Sequence, residues 1–402
     1  MATAAARCTA AAAPAERPAL PVPDELLEEI FVRLDAAADL ARASAACASF
    51  RRVVSARRFL RRFRSLHPPP LLGHLDFERD RGAFHPAEPP HRSAPAARAL
   101  ARAADFAFSF LPDPESWSTC DVRDGRVLLY RQLDIFRPVE LVVCDPLHRR
   151  YVQIPPIPDD LAASAWCVVR EYNTFLDAAC KEAKDEQEED LSFRLICYVH
   201  SHHKLVTFNF ASATGRWHGV TFDRSTPLHP LVPVLPALFQ RHYAHGCFYI
   251  THRDILSLFT LDGREMKFSF MDHHPPIRHG QKELAIVEAG EGRLGLLTCG
   301  YGVLDLYSAT LPNNGANTVE WRHEKIIPLP DPDCSWYIPG AEESHILLIA
   351  NPLSDRKYTH QWHYFTLDLK TLLIERLCVS DRYIVHAGLY KSFPPLLSLP
   401  SV

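Results

Sequence analysis

No run in this 402-residue chain approaches the ~20 consecutive apolar residues of a membrane-spanning helix, so no membrane is expected as its solvent. No two of its 11 cysteines stand close enough for a C-x-x-C pair, which excludes a thioredoxin-type motif and a paired-cysteine zinc site. Their odd number is against a disulfide scaffold. So is their place in apolar runs, as at Cys144, Cys197 and Cys299, which suits buried thiols of a reducing compartment. Charge of one sign is not in excess either: 44 Lys/Arg against 48 Asp/Glu gives −4. Residues 1–66 carry +4 and the rest −8, too little in either half to imply nucleic acid or a membrane surface as main partner. No G-x-S-x-G elbow is present, and no carboxylate pair stands out for acid–base work. Residues 1–19 lack the Leu/Val core of a secretory signal. They are expected to form a disordered Ala-rich tail, with a plastid transit peptide as the alternative.

What is present begins at residue 20. Pro23 suits a first helical turn, and Asp24 and Glu25 suit the positive end of a helix dipole. Leu26, Leu27, Ile30, Phe31 and Leu34 then form one broad apolar stripe. A second helix carries Leu40, Ala43 and Cys47, and a third Phe50, Val53 and Val54. Three helices this short cannot bury that much apolar surface alone. They need a partner, or they cap the chain's own next domain. Seven arginines then fall between 51 and 64, interleaved with Phe59, Leu60 and Phe63. With no other basic surface in the chain, they read as the solvated side of an amphipathic helix and not as a nucleic-acid patch. Pro68-Pro69-Pro70 ends it.

This stretch resembles an F-box. Val22-Pro23, Asp24 through Leu34, Asp39-Leu40, Cys47, Phe50 and Arg52-Val53-Val54-Ser55 follow that family's order. Val22 stands where Leu is usual, Phe50 where Trp is usual, and Asp35-Ala36-Ala37 replaces a Pro-rich break. The resemblance implies docking on a Skp-family adaptor through Pro23, Leu26, Leu27, Ile30, Leu34, Leu40, Cys47 and Phe50. Through the adaptor it implies an indirect tie to a cullin scaffold.

Residues 67–104 read as a Pro-rich linker or an irregular first repeat. From 105 onward the period changes. Runs such as 125–130, 139–144, 193–199, 204–210, 246–251, 255–261, 284–289, 293–299, 303–308, 345–350 and 361–369 are short, apolar and bounded by turn residues. Residues 171–190 end in the acidic run KEAKDEQEED and read as a solvated insertion, although one helix is possible there. A strand–turn–strand unit recurs at 141–156, 206–220, 256–270, 304–330 and 363–377. That recurrence suggests a β-propeller with room for about six blades. The segment Cys144–Pro156 also resembles the first repeat of plant F-box-associated propeller domains, and the two domains together look like cereal F-box proteins.

Gly290-Glu-Gly292-Arg-Leu-Gly295 fits a dinucleotide fingerprint in spacing, but β-rich sequence follows it, so a hairpin is expected. The pairs His202/His203, His242/His245, His273/His274 and His360/His363 lack Cys or carboxylate partners at zinc spacing. No cofactor or metal is expected. Trp217, His218, His242, Tyr243, Trp336 and Tyr337 are candidates for a substrate-binding face, each with blade packing as the alternative.

The expected architecture is α+β and multidomain: a tail at 1–19, a small three-helix F-box at 20–66, the linker, and an all-β propeller of about six blades at 105–402. By resemblance it would be a non-catalytic substrate receptor of an SCF-type ubiquitin ligase, cytoplasmic or nuclear, binding an adaptor and a protein substrate. The alternatives are a propeller hydrolase or lyase with a helical cap, and an adaptor-bound scaffold with no ligase role.

Overall fold

In the computed structural model the chain divides into two compact units, one ending at Pro68 and one spanning Pro69–Val402. The structure describes residues 22–34, 37–77, 83–131, 139–162, 173–177, 192–200, 204–223, 239–252, 255–263, 266–271, 283–290, 292–300, 302–310, 320–352 and 361–402. The Ala-rich tail, the whole acidic run at 181–190 and the pairs His202/His203 and His273/His274 lie outside them, as does His360. Among the described residues no helix is long and apolar enough to cross a membrane.

The first unit holds α1 (Asp24–Phe31), α2 (Ala37–Ala46), α3 (Ala48–Val54) and α4 (Arg57–Leu66). Asp24 and Glu25 occupy the first turn of α1, and the amides of Leu26 and Leu27 donate to the Pro23 carbonyl at 3.1 Å. The α1 stripe splits into two faces. Leu27 and Phe31 turn inward, with the Phe31 ring 5.0 Å from Phe50 and 6.5 Å from Phe59. Phe59, Leu60 and Phe63 of α4 are buried, which leaves its arginines outside. Arg52 pairs with Asp24 and Arg62 with Glu29, so two arginines fasten α3 and α4 to α1.

The second unit opens with β1 (Leu71–Asp76), β2 (Phe84–Pro86) and α5 (Ala94–Ala103). Five antiparallel meanders follow. They are β3 (Ser118–Arg123), β4 (Arg126–Arg131), β5 (Glu140–Asp145) and β6 (Arg150–Ile154); β7 (Asn173–Asp177), β8 (Arg194–His200), β9 (Lys204–Ala211) and β10 (Arg216–Asp223); β11 (Phe239–Ala244), β12 (Cys247–His252), β13 (Ile255–Asp262) and β14 (Lys267–Met271); β15 (Glu283–Glu288), β16 (Arg293–Gly300), β17 (Val303–Thr310) and β18 (Arg322–Pro328); and β19 (Cys334–Glu342), β20 (His345–Pro352), β21 (Trp362–Asp368) and β22 (Leu373–Ser380). The last strand, β23 (Ala387–Lys391), returns to pair antiparallel with β1.

This is a propeller arrangement, but the expected six blades are not found. Four sheets have four or more strands, because β11 and β19 come close enough to share a parallel pair at Tyr243 and Glu342, which fuses two meanders into one eight-stranded sheet. The closing sheet, β2-β1-β23, has only three strands. Separate apolar clusters fill the gaps between consecutive meanders, and the largest joins β1, β23 and α5 to strands of the first and last meanders. Closure depends on a glycine. A Cβ on Gly340 would lie 2.2 Å from the backbone oxygen of Ala387 in β23, so no side chain fits there.

Two expectations change here. Part of 171–190 is a strand, since Phe175 and Leu176 are buried in β7. Helix α5 occupies a stretch expected to be irregular; Pro95 opens it and its Ala97 and Leu100 are buried. The 290–295 glycines make a hairpin, with Gly290 and Gly292 at φ +79° and +72° between β15 and β16.

Candidate functional site

On the helical unit the outward face of α1 carries Leu26 and Ile30, 56% and 53% exposed. They are one helical turn apart and so stand side by side. Leu66 of α4 is also exposed. An apolar pair left in water on a helix already anchored by its other face has the form of a docking surface.

The β unit does the opposite and draws charge inward. Its leading strands meet: β3 packs on β7 and β23, and β15 on β11 and β19. Each carries ionisable side chains. Arg241 Nη2 of β11 lies 2.6 Å from Asp121 Oδ1 of β3, whose other oxygen accepts the Leu176 amide of β7 at 2.7 Å. Arg123 lies over the Tyr243 ring, 3.8 Å from its centroid, and 3.8 Å from Glu342 Oε1. Lys391 Nζ is 3.5 Å from both Glu342 and Glu343. Arg194 pairs with Asp177 and donates to the Gly263 carbonyl at 2.9 Å. Burial pushes the Glu342 carboxyl above its ordinary value, against the pull of Lys391 and Arg123. Burial also pushes the Tyr243 phenol up to about 12 and the His242 imidazole down to about 3. Arg123, Arg241, Arg194 and Lys391 face Asp121, Asp177, Glu342 and Glu343, so the charges match. The cluster fastens strands of different meanders, and no nucleophile–base pair stands among these groups. Among the described residues no group of three or more His, Cys, Asp or Glu could hold a metal.

A family model described as F-box-like matches residues 22–66. Those residues are an F-box-like domain. No curated protein matches the chain. Among solved structures the chain is similar to TolB from Acinetobacter baumannii, at 10% identity and a TM-score of 0.32, over 63% of this chain and 52% of that one. It thus spans about half the length of that protein. It is also similar to a putative 6-phosphogluconolactonase from Bacteroides uniformis (9% identity, TM-score 0.34, 78% and 82% covered) and to a chain of a nidogen/laminin complex (9% identity, TM-score 0.34, 80% and 96% covered). Scores of this size carry no functional argument.

Within the F-box-like domain the candidate adaptor residues separate by exposure. Pro23, Leu26 and Ile30 are exposed, and Leu34, Cys47 and Phe50 half-buried. Leu27 and Leu40 are already covered by the domain's own helices. Cys47 has a local task as well: its sulfur accepts the Phe50 amide at 3.4 Å and caps α3. Of the candidate substrate residues, Trp217 is buried and donates to the Pro155 carbonyl, while Trp336 is buried and donates to that of Asp331, both at 2.8 Å. Tyr337 packs on Tyr383, and His242 is buried. His218 is exposed on β10, the outer strand of its meander. Only Tyr243 joins the charged cluster. The structure therefore does not bring the six together. Sequence reading missed Asp121, Arg123, Arg241, Glu342 and Lys391. Their signal is charge inside short runs next to turns: CDVRDG, QRHYAHG, GAEESH, LYKS.

Proposed function

We propose that this chain is the substrate-recognition subunit of an SCF-type ubiquitin ligase. Its F-box-like domain would dock on a Skp-family adaptor, which in turn joins a cullin scaffold. The β unit would hold a protein substrate within reach of a ubiquitin-conjugating enzyme. The contribution is proximity and orientation, with the chemistry left to partners. The observation that carries the reading is the exposed Leu26/Ile30 pair within residues that match the F-box-like model. On this reading the docking set is Pro23, Leu26, Ile30, Leu34, Cys47 and Phe50 at the surface, with Leu27 and Leu40 supporting them from beneath. The protein works in the cytoplasm or nucleus, with its thiols reduced. The likeness of Cys144–Pro156 to plant F-box-associated repeats supports a plant-type receptor.

The test is co-purification with a Skp-family adaptor. Leu26→Asp/Ile30→Asp should reduce capture by more than 100-fold, because two carboxylates would be buried in an apolar interface at several kcal/mol. Folded wild-type protein that captures no adaptor would sink the reading.

A further inference from the structure

Residues 398–402 end in a contact that the propeller ladder does not require. Ser401 is buried, and two buried charged side chains read three of its polar groups. Asp145 Oδ2, at the end of β5, accepts from both the Ser401 amide and its hydroxyl at 2.9 Å. Arg126 Nε, at the start of β4, donates to the Ser401 carbonyl at 2.8 Å. The cradle is itself braced. His148 Nδ1 lies 2.8 Å from Asp145 Oδ2, the His148 amide donates to Oδ1 at 3.1 Å, and Arg126 Nη2 reaches the Ser192 carbonyl at 3.2 Å. Val402 packs on the apolar cluster shared by β4, β5, β8 and β9. Ser401, Asp145 and His148 are not a catalytic relay, because Ser401 and His148 both bond the same Asp145 oxygen.

The segment is held at Leu397, Ser401 and Val402. Leu397 is fully buried, Ser401 is buried, and Ser398–Pro400 between them are half-buried. Among the described residues β23 is the last strand, and residues 398–402 lie outside it. A segment that lies outside the ladder, with its polar anchors gathered at Ser401, can leave its cradle by local opening without unfolding a sheet. What it leaves is a fixed donor, a fixed acceptor and an apolar floor: the parts that recognise an extended peptide.

We infer that the Arg126–Asp145 cradle is a peptide-binding site, filled in this state by the chain's own Ser401-Val402, which takes from a partner protein an extended segment carrying a serine followed by an aliphatic residue. The inference stands whether or not the helical unit binds an adaptor. The chain's own residues hold the site by proximity and so set the threshold a partner must exceed.

The probe is a labelled peptide with the sequence of residues 396–402, Leu-Leu-Ser-Leu-Pro-Ser-Val, read by fluorescence anisotropy against the full chain. In Ser401→Asp/Val402→Asp the new carboxylates face Asp145 and the apolar floor and free the cradle. That variant should bind the peptide at least tenfold tighter than wild type. Adding Asp145→Ala, or replacing the second serine of the peptide by alanine, should cost at least tenfold. A folded variant that binds no peptide, or binds it equally without Asp145, overturns the proposal. Wild-type hydrogen exchange tests the same point without any variant. The Ser401 amide should exchange at least 100-fold faster than the amides at the centre of β5, and equal rates would overturn the proposal.

Discussion

The two units invert one another. The helical unit is small, keeps a core of Phe31, Phe59 and Phe63 and leaves Leu26 and Ile30 in water. The β unit is large and draws arginine, lysine, aspartate and glutamate in among its leading strands. Each departs from the inside-apolar rule where its own geometry allows. A helix can anchor through one face and offer the other. Sheets arranged in a ring bring their first strands together, where matched charges fasten one meander to the next with directional contacts. The difference teaches where to look: exposed grease marks the place for a partner, whereas buried matched charge marks architecture.

The comparison breaks most sharply at closure. Gly340→Val should prevent β23 from seating, since the Ala387 backbone has no room to yield. The cooperative thermal transition of the β unit should vanish while the helical CD signal of the F-box-like domain persists. The mirror experiment is Phe59→Ala. Removing this buried ring should cost about 3–5 kcal/mol, enough to unfold a unit this small and leave the β transition in place. Limited proteolysis within 57–66 reads it. Leu26→Ala should change helical stability by under about 0.5 kcal/mol, which separates the core face of α1 from its exposed face.

Lys391→Met sharpens the other side. It leaves Glu342 facing Arg123 alone and strips Glu343 of its cation. Breaking a buried pair costs about 3–5 kcal/mol, and the exposure of Glu343 brings the expected loss below that range. Adding Glu342→Gln should recover part of it in a double-mutant cycle by urea melts.

Acid should weaken the β unit through imidazoles that burial holds neutral. His74 lies well below its ordinary value, His242 at about 3 and His345 at about 4. The unfolded chain takes up protons at about pH 6.5 that the folded chain refuses, so this stability is complete above that pH and is lost as pH falls toward the folded values. Each such group costs about 1.4 kcal/mol per pH unit in that window. His74→Phe should flatten the dependence of the urea midpoint on pH, and an unchanged slope would remove His74 from the account. The smallest effect is chemical. Burial holds the Cys197, Cys299 and Cys378 thiols at about 12. A thiol reagent at pH 8 should label them only on unfolding.

Sequence pattern was most legible where one principle acted alone. All eleven apolar runs lie on strands, among them 204–210 on β9 and 293–299 on β16. The five recurring strand–turn–strand units are the outer two strands of the five meanders. The strands missed include β3 and β11, where charge interrupts the run, and β7, β19 and β23, which end on a charged residue. Their aspartates, arginines, glutamates and lysine read as surface until the ring supplies partners. The blade count failed for a similar reason: no local pattern in Tyr243 or Glu342 announces a parallel pairing across about a hundred residues. The α1 stripe was visible, but its division into a buried and an exposed face needed α3 and α4 in place.

The pairing of β1 with β23 also sets an order of events. Residues 71–76 can pair early with 84–86 but must wait for residues 387–391, about three hundred positions later, before their three-stranded sheet is complete. Helices at 24–66 emerge from a ribosome and complete their contacts long before that. During synthesis the first unit can fold, and offer Leu26 and Ile30, while the ring behind it is still an open chain of meanders.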